Sequence, residues 1–340
     1  MSIRILVVDD SAFARKVMRE VLAAEPDFEV VGIARDGLEA LEKIAELHPD
    51  VVTMDLVMPN LDGLGVLRAL TAGAPPRVVV VSVSDSDSEL GLAALDAGAV
   101  DLVHKPTAMA TDRLYQLGDE LRLKVRAAAI ARTPAPAAAP AREPIRVFGA
   151  AVRTRLIVIG ASTGGPPALT RLLAALPADL PCPIAVALHL PAAYTEAFAH
   201  RLDAVSPLHV VEADTGALLS PGTVMVARGG MHLKLVARQG VLVALLDAEP
   251  LAAAHRPSVD VLFASAADAA GASVLGVVLT GMGDDGVAGA RSLRAAGARV
   301  LTESESSCVV YGMPRAVKVA GLSDGEAPIE RMALKILSQL

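Results

Sequence analysis

The chain has 340 residues, which at roughly 150 per domain points to two domains and excludes a mini-protein that depends on staples. Apolar residues make up 53% and charged residues 20%, with 5 Phe, 3 Tyr and no Trp, so Ala and Val must fill much of the core. A net charge of -7 with no Lys/Arg cluster argues against nucleic acid as a partner, since that affinity rests on phosphate neutralisation.

Charge-free runs such as Ala269 to Gly283 are broken by Gly, Ser and Thr and fall short of the about 20 apolar residues that a spanning helix needs. The opening Met-Ser-Ile-Arg-Ile-Leu-Val-Val-Asp-Asp carries two carboxylates where a secretory signal would be apolar. The expectation is a soluble, cytoplasmic protein without direct membrane insertion. Cys182 and Cys308 have no Cys or His at metal-ligand spacing, so they read as buried thiols.

In the first part of the chain, β-branched runs at Ile5–Val8, Val30–Ile33, Val51–Thr53, Val78–Val81 and Leu102–Val103 alternate with helical periods such as Leu38, Leu41, Ile44, Ala45 and Leu47. Near-continuous apolar strands imply burial on both faces, and the alternation implies parallel pairing. The predicted fold is a flavodoxin-like (βα)5 domain over residues 1–126.

Ligands of such sheets bind beyond the carboxyl ends of the strands, where the strand order reverses. Asp9 and Asp10 end the first strand and Asp55 the third; with order 2-1-3-4-5 these ends are neighbours. Three crowded carboxylates call for a cation, and an oxygen-only set suits Mg²⁺. Asp55 then fits a carboxylate nucleophile toward phosphorus. Ser82 and Lys105 end the fourth and fifth strands, where a hydroxyl and an ammonium suit phosphoryl oxygens.

LVVDDSAFAR, the stretch Met54 to Gly63, and Ala97-Gly98-Ala99 leading to His104-Lys105-Pro106 resemble a two-component receiver domain. The resemblance implies Asp55 as phosphoacceptor, Asp9 and Asp10 as Mg²⁺ ligands, Ser82 and Lys105 as phosphoryl sensors, and a histidine kinase as donor.

Residues Thr133 to Pro144, TPAPAAAPAREP, have the composition of a semi-rigid linker, placed within an Ala/Pro-rich segment spanning 127–150. Beyond it, residues 151–340 return to α/β patterning, with strands at Leu156–Ile159, Ile184–Leu188, His209–Glu212, Val274–Leu279 and Ala298–Thr302. Helices fall at Pro167–Ala175 and Val259–Ala269, which again predicts a doubly wound sheet. Short runs at Thr223–Ala227, His232–Ala237 and Val241–Leu246, separated by Gly-containing turns, predict an antiparallel hairpin at one edge.

Gly160-Ala161-Ser162-Thr163-Gly164 fits G-x-S-x-G, a tight strand-to-helix turn that presents a hydroxyl where free amides favour an oxyanion. A serine needs a base, and the base an orienting acceptor. His189 ends a strand on the same edge, and the loop Thr280-Gly-Met-Gly-Asp-Asp-Gly286 brings Asp284 and Asp285 after another.

GASTGGP, the step His189-Leu-Pro, Arg256-Pro-Ser-Val-Asp-Val-Leu-Phe263, LTGMGDDG and Cys308-Val-Val-Tyr-Gly-Met-Pro314 resemble the chemotaxis protein-glutamate methylesterase (CheB) family. The resemblance implies Ser162 as nucleophile, His189 as general base and acid, Asp285 as its orienting residue, and Thr163 and Met282 as oxyanion contacts. It further implies hydrolysis of glutamate γ-methyl esters and deamidation of glutamines on methyl-accepting chemoreceptors, with no cofactor in the esterase step. Leu188 and Ala193 depart from the Gln and Gly usual there. Two rivals are a DNA-binding regulator and a silent adaptor. The first lacks a basic face, with 15 Lys+Arg against 16 Asp+Glu from Arg153 onward, and the second is opposed by the intact Ser162, His189 and Asp285.

Overall fold

The computed structural model describes residues 2–70, 75–82, 88–105, 111–132 and 154–340. It divides into two compact units, Met1–Ala131 and Arg132–Leu340.

The first unit runs β1 (Ile3–Val8), α1 (Ala12–Ala23), β2 (Phe28–Ala34), α2 (Gly37–Leu47), β3 (Val51–Met54), α3 (Gly63–Ala69), β4 (Arg77–Ser82), α4 (Ser88–Asp96), β5 (Asp101–His104) and α5 (Thr111–Ile130). Its sheet is parallel throughout, in the order β2-β1-β3-β4-β5, so the reversal falls between β1 and β3. Ser11, Asp36 and Asp62 open α1, α2 and α3 by accepting a first-turn amide, the cap that short polar side chains supply.

Residues 127–130, expected in the linker, are instead the last turn of α5. Ala127 and Ala128 are buried, with Ala128 in the core that also holds Val125, Leu121 and Leu22. Ala-rich composition reads alike as linker and as helix, and tertiary burial decides. The rest of the expected linker lies outside the described residues.

The second unit contains β6 (Leu156–Ala161), α6 (Gly165–Ala174), β7 (Ile184–Leu188), α7 (Ala192–Val205), β8 (His209–Glu212), β9 (Thr223–Val226), β10 (His232–Arg238), β11 (Val241–Asp247) and α8 (Val259–Ala270). It continues through β12 (Val274–Val278), α9 (Val287–Ala295), β13 (Arg299–Glu303), α10 (Met313–Val319), β14 (Gly325–Ala327) and α11 (Ile329–Leu337). Seven strands form one parallel sheet ordered β14-β13-β12-β6-β7-β9-β8. Every residue of β6, β7 and β12 is buried, as expected for central strands with helices on both faces.

The predicted edge hairpin is placed differently. β9 lies inside the parallel sheet between β7 and β8, whereas β10 and β11 pair antiparallel as a separate two-stranded sheet. Glycine turns report local reversals, whereas the pairing of β9 is decided by burial against β7, on which the sequence pattern is silent. Among the described residues, no helix is long and apolar enough to cross a membrane. Both cysteines are buried, which pushes the Cys182 thiol up to about 12.

Phe263 of α8 is fully buried in the core shared with Val158, Val278 and Leu293. Phe263→Ala should lower the stability of the second unit by about 3–5 kcal/mol, read from the urea midpoint of its unfolding. An unchanged midpoint would contradict this packing.

Candidate active site and phosphoryl-acceptor site

The reversal in the second sheet lies between β6 and β12, and this is where the chemistry-bearing loops gather. Ser162 follows β6, and its amide donates to the Thr280 carbonyl beyond β12 at 3.0 Å. The Thr280 hydroxyl in turn donates to the Thr163 carbonyl at 3.0 Å. Gly281 passes so close to the Ser162 turn that a Cβ there would stand 2.7 Å from the Ser162 Cβ. Gly164 has φ +77 and caps α6; an added Cβ would meet Val309 at 2.5 Å, so both steric and torsional limits require glycine.

His189, at the end of β7, meets Ser162 Oγ through Nδ1 at 3.1 Å and Asp285 Oδ2 through Nε2 at 2.8 Å. An ionised carboxylate only accepts, so Nε2 carries the proton and the Nδ1 lone pair faces the Ser162 hydroxyl. The arrangement can withdraw a proton from the hydroxyl while the carboxylate stabilises the imidazolium formed. The two ring nitrogens exchange the roles they hold in the familiar serine-protease arrangement.

Asp285 is fastened to the start of α8. Its Oδ1 accepts from the Ser258 hydroxyl and the Asp260 amide, each at 2.9 Å, and its Oδ2 from the Val259 amide at 2.8 Å. Burial alone would raise its pKa, but the bond to His189 and the Asp260 and Val259 amides outweigh it and hold the carboxyl well below the usual range. Asp260 reciprocates by accepting the Gly286 and Gly289 amides at the start of α9, at 2.8 and 2.7 Å.

Sequence reasoning named Ser162, His189 and Asp285, and the structure brings all three into one hydrogen-bonded line. Asp284 is exposed. The Met282 amide makes no hydrogen bond among the described residues, whereas the Ser162 amide is occupied. Thr163 is buried.

In the first unit, Asp9, Asp10 and Asp55 bring carboxylate oxygens within 4.8 Å of one another. Lys105 Nζ donates to Asp9 Oδ2 at 2.6 Å and to Asp55 Oδ2 at 3.0 Å. Burial raises the Asp9 pKa, Lys105 opposes the rise, and Asp55 adds to it. The Lys105 pKa is raised because the two carboxylates outweigh burial. The Ser82 hydroxyl is buried without a hydrogen-bond partner among the described residues, at the end of β4 between the ends of β3 and β5. An all-oxygen donor set with excess negative charge and an unpaired hydroxyl nearby fits Mg²⁺ together with a phosphoryl group.

The family model described as CheB methylesterase matches residues 157–336, and that of the response regulator receiver domain matches residues 5–116. The chain belongs to the CheB methylesterase family. A Myxococcus xanthus protein named protein-glutamate methylesterase/protein-glutamine glutaminase 5 is 63% identical over 334 residues, 97% of this chain and 96% of that protein. A Bordetella bronchiseptica protein named protein-glutamate methylesterase/protein-glutamine glutaminase is 44% identical over 343 residues, 99% of this chain and 97% of that protein. Among solved structures, the CheB methylesterase catalytic domain of Thermotoga maritima is 37% identical, with a TM-score of 0.54, covering 55% of this chain and 99% of its own.

Leu188, just before His189, faces inward. The side chain is buried, with Cδ1 2.6 Å from where a Cβ on Gly165 would stand. Residues that sequence reasoning missed support the site from behind. Glu303, fully buried at the end of β13, accepts from the Thr280 amide and the Ser307 hydroxyl, each at 2.8 Å, and so anchors the loop that carries Asp285. Ser258 and Asp260 lie within the stretch Arg256–Phe263, where a single Ser-x-Asp at a helix start was the available signal.

Because the folded pKa of Asp285 lies below its unfolded value, the stability it contributes is complete above about pH 4 and is lost as pH falls through the range below. Asp285→Asn should therefore flatten the decline in stability of the second unit between about pH 5 and 2, followed by urea midpoints. Parallel profiles for the two proteins would contradict the assignment.

Proposed function

We propose that this chain is a phosphorylation-activated hydrolase that removes methyl from glutamate γ-methyl esters on chemoreceptor helices and deamidates glutamines at such positions. The observation that carries the reading is the line Ser162–His189–Asp285, at 3.1 and 2.8 Å, in a member of the CheB methylesterase family.

Ser162 Oγ attacks the γ-carbonyl carbon as His189 Nδ1 takes the hydroxyl proton, and the carbonyl oxygen becomes an oxyanion. The Met282 and Thr163 amides are its candidate donors. His189 then returns the proton to the departing methoxide, releasing methanol and leaving an acyl-enzyme. Water, deprotonated by the same nitrogen, attacks the acyl carbon and frees the glutamate carboxylate and Ser162. With glutamine the leaving group is ammonia and the deacylation is the same.

The receiver unit supplies control. Asp55 accepts a phosphoryl group from a histidine kinase, and Ser82 and Lys105 bind its oxygens. Asp9, Asp10 and Asp55 would hold Mg²⁺, whose charge offsets the phosphoryl oxygens. The setting is the cytoplasm, beside the signalling ends of the receptors. A DNA-binding output is disfavoured by the balanced charge of the second unit, and a silent adaptor by the complete hydrogen-bonded line.

Ser162→Ala should abolish methanol release from methylated receptor, and Asp285→Asn should lower turnover by roughly 10³–10⁴-fold while leaving Asp284→Asn close to wild type. Loss in Asp284→Asn with near-normal Asp285→Asn would reverse the choice of acid. For control, acetyl phosphate with Mg²⁺ should accelerate the full-length protein and leave Asp55→Asn unaffected; equal acceleration of both would remove Asp55 from the mechanism.

A further inference from the structure

The segment from residue 248 to 258 joins β11 to α8 and carries a second imidazole into the catalytic site. The rings of His255 and His189 are stacked, with centroids 4.1 Å apart and planes inclined by 23°. His255 stands outside the Ser162–His189–Asp285 line, yet its ring lies on the side chain at the centre of that line.

The segment is fastened so that this contact is held. His232, fully buried at the start of β10, accepts the Ser258 amide through Nδ1 at 3.2 Å and donates from Nε2 to the Pro250 carbonyl at 3.3 Å. One imidazole thus clasps both ends of the segment. An amide can only donate, so Nδ1 of His232 is unprotonated and the ring is neutral. Burial lowers its pKa in the same sense, with Lys234 and Arg256 adding to the effect and the Pro250 bond and Asp247 opposing it. Just past His255, the Gly230 amide donates to the Arg256 carbonyl at 3.0 Å.

Hydrogen bonds at Nδ1 and Nε2 fix the His189 ring along the axis through its two nitrogens. They resist rotation of the ring about its Cβ–Cγ bond only weakly, because bending a hydrogen bond costs little at first. That rotation would swing Nδ1 out of its present plane and carry its lone pair out of line with the Ser162 hydroxyl. A flat ring stacked on one face blocks that motion from that side and adds the attraction of offset aromatic pairs.

We propose that His255 is a positioning residue for the hydrolytic reaction: its ring, stacked on His189 and held by the His232 clasp, keeps the imidazole plane in which Nδ1 meets the Ser162 hydroxyl. The proposal rests on the reading of Ser162, His189 and Asp285 given above. It requires flatness of the side chain at 255 rather than its capacity to titrate.

The test uses the full-length protein, with demethylation kinetics and the rate of Ser162 acylation by a fluorophosphonate. His255 is partly exposed, so its replacement leaves the core intact. His255→Ala should lower kcat and the acylation rate by at least about tenfold, with KM within about twofold, as expected for misplacement of a reacting group. His255→Phe should restore both rates to within about threefold of wild type, because a flat ring returns. His255→Ala with wild-type rates would overturn the proposal, and so would equal losses in His255→Ala and His255→Phe, which would assign the effect to the imidazole's protons. A wild-type protein in which the fluorophosphonate leaves Ser162 unlabelled would instead overturn the underlying reading, and this inference with it.

Discussion

The catalytic edge of the second unit is organised around one buried negative charge. An ionised carboxylate taken out of water is costly unless donors replace its hydration, and Asp285 has four: His189 Nε2, the Ser258 hydroxyl and the Val259 and Asp260 amides. Two of these are first-turn amides of α8, which are unsatisfied within their own helix and carry the positive end of its dipole. Asp260 repeats the device toward the start of α9. Two helix N-termini are therefore tied together by two carboxylates. The loop from Thr280 to Gly286 joins this lock at one end, while Glu303 and the Ser162 amide hold it at the other.

That lock determines which nitrogen of His189 faces the Ser162 hydroxyl. With Asp285 fixed as an acceptor for Nε2–H, the neutral ring has one lone pair left, on Nδ1, and Ser162 meets it. The tautomer follows from the carboxylate, and the carboxylate's ionisation follows from the helix amides. Backbone donors at a helix start thus reach the Ser162 hydroxyl through two side chains, Asp285 and His189. No step in this chain requires a strained or unpaired group.

The legibility of these features in the sequence differs by kind. Parallel α/β sheets put every strand's carboxyl end on one edge, so apolar runs followed by Asp9, Asp55, Ser162 or His189 reveal the site without knowledge of the packing. Amides leave no residue signature, and the anchoring of Asp285 to α8 was hidden for that reason. Neither His232 nor His255 ends a strand, and their contacts depend on a loop whose course no periodicity reveals. β9 was misplaced because its partners, β7 and β8, are chosen by sheet burial and not by the glycine turns beside it.

The two sites differ in how completely they are balanced, and this difference bears on where control originates. Around His189 every hydrogen-bonding group of the line has a partner, and protons move within it without a change of composition. At Asp55 the balance is incomplete among the described residues: three carboxylates face the ammonium of Lys105, while Arg15 binds the backbone carbonyls of Asp9 and Asp10. The Ser82 hydroxyl adds a buried donor with no acceptor among the described residues. Such a site gains favourable contacts when a phosphoryl group and a cation arrive together, because the hydroxyl and the ammonium then acquire acceptor oxygens. A ligand shifts a conformational equilibrium only by its differential affinity for the two states. The receiver site has contacts still to be made and so has that differential available, whereas the hydrolytic site, already satisfied, has little. On the function proposed above, control would therefore originate at Asp55, with His189 and Asp285 keeping their present hydrogen bonds.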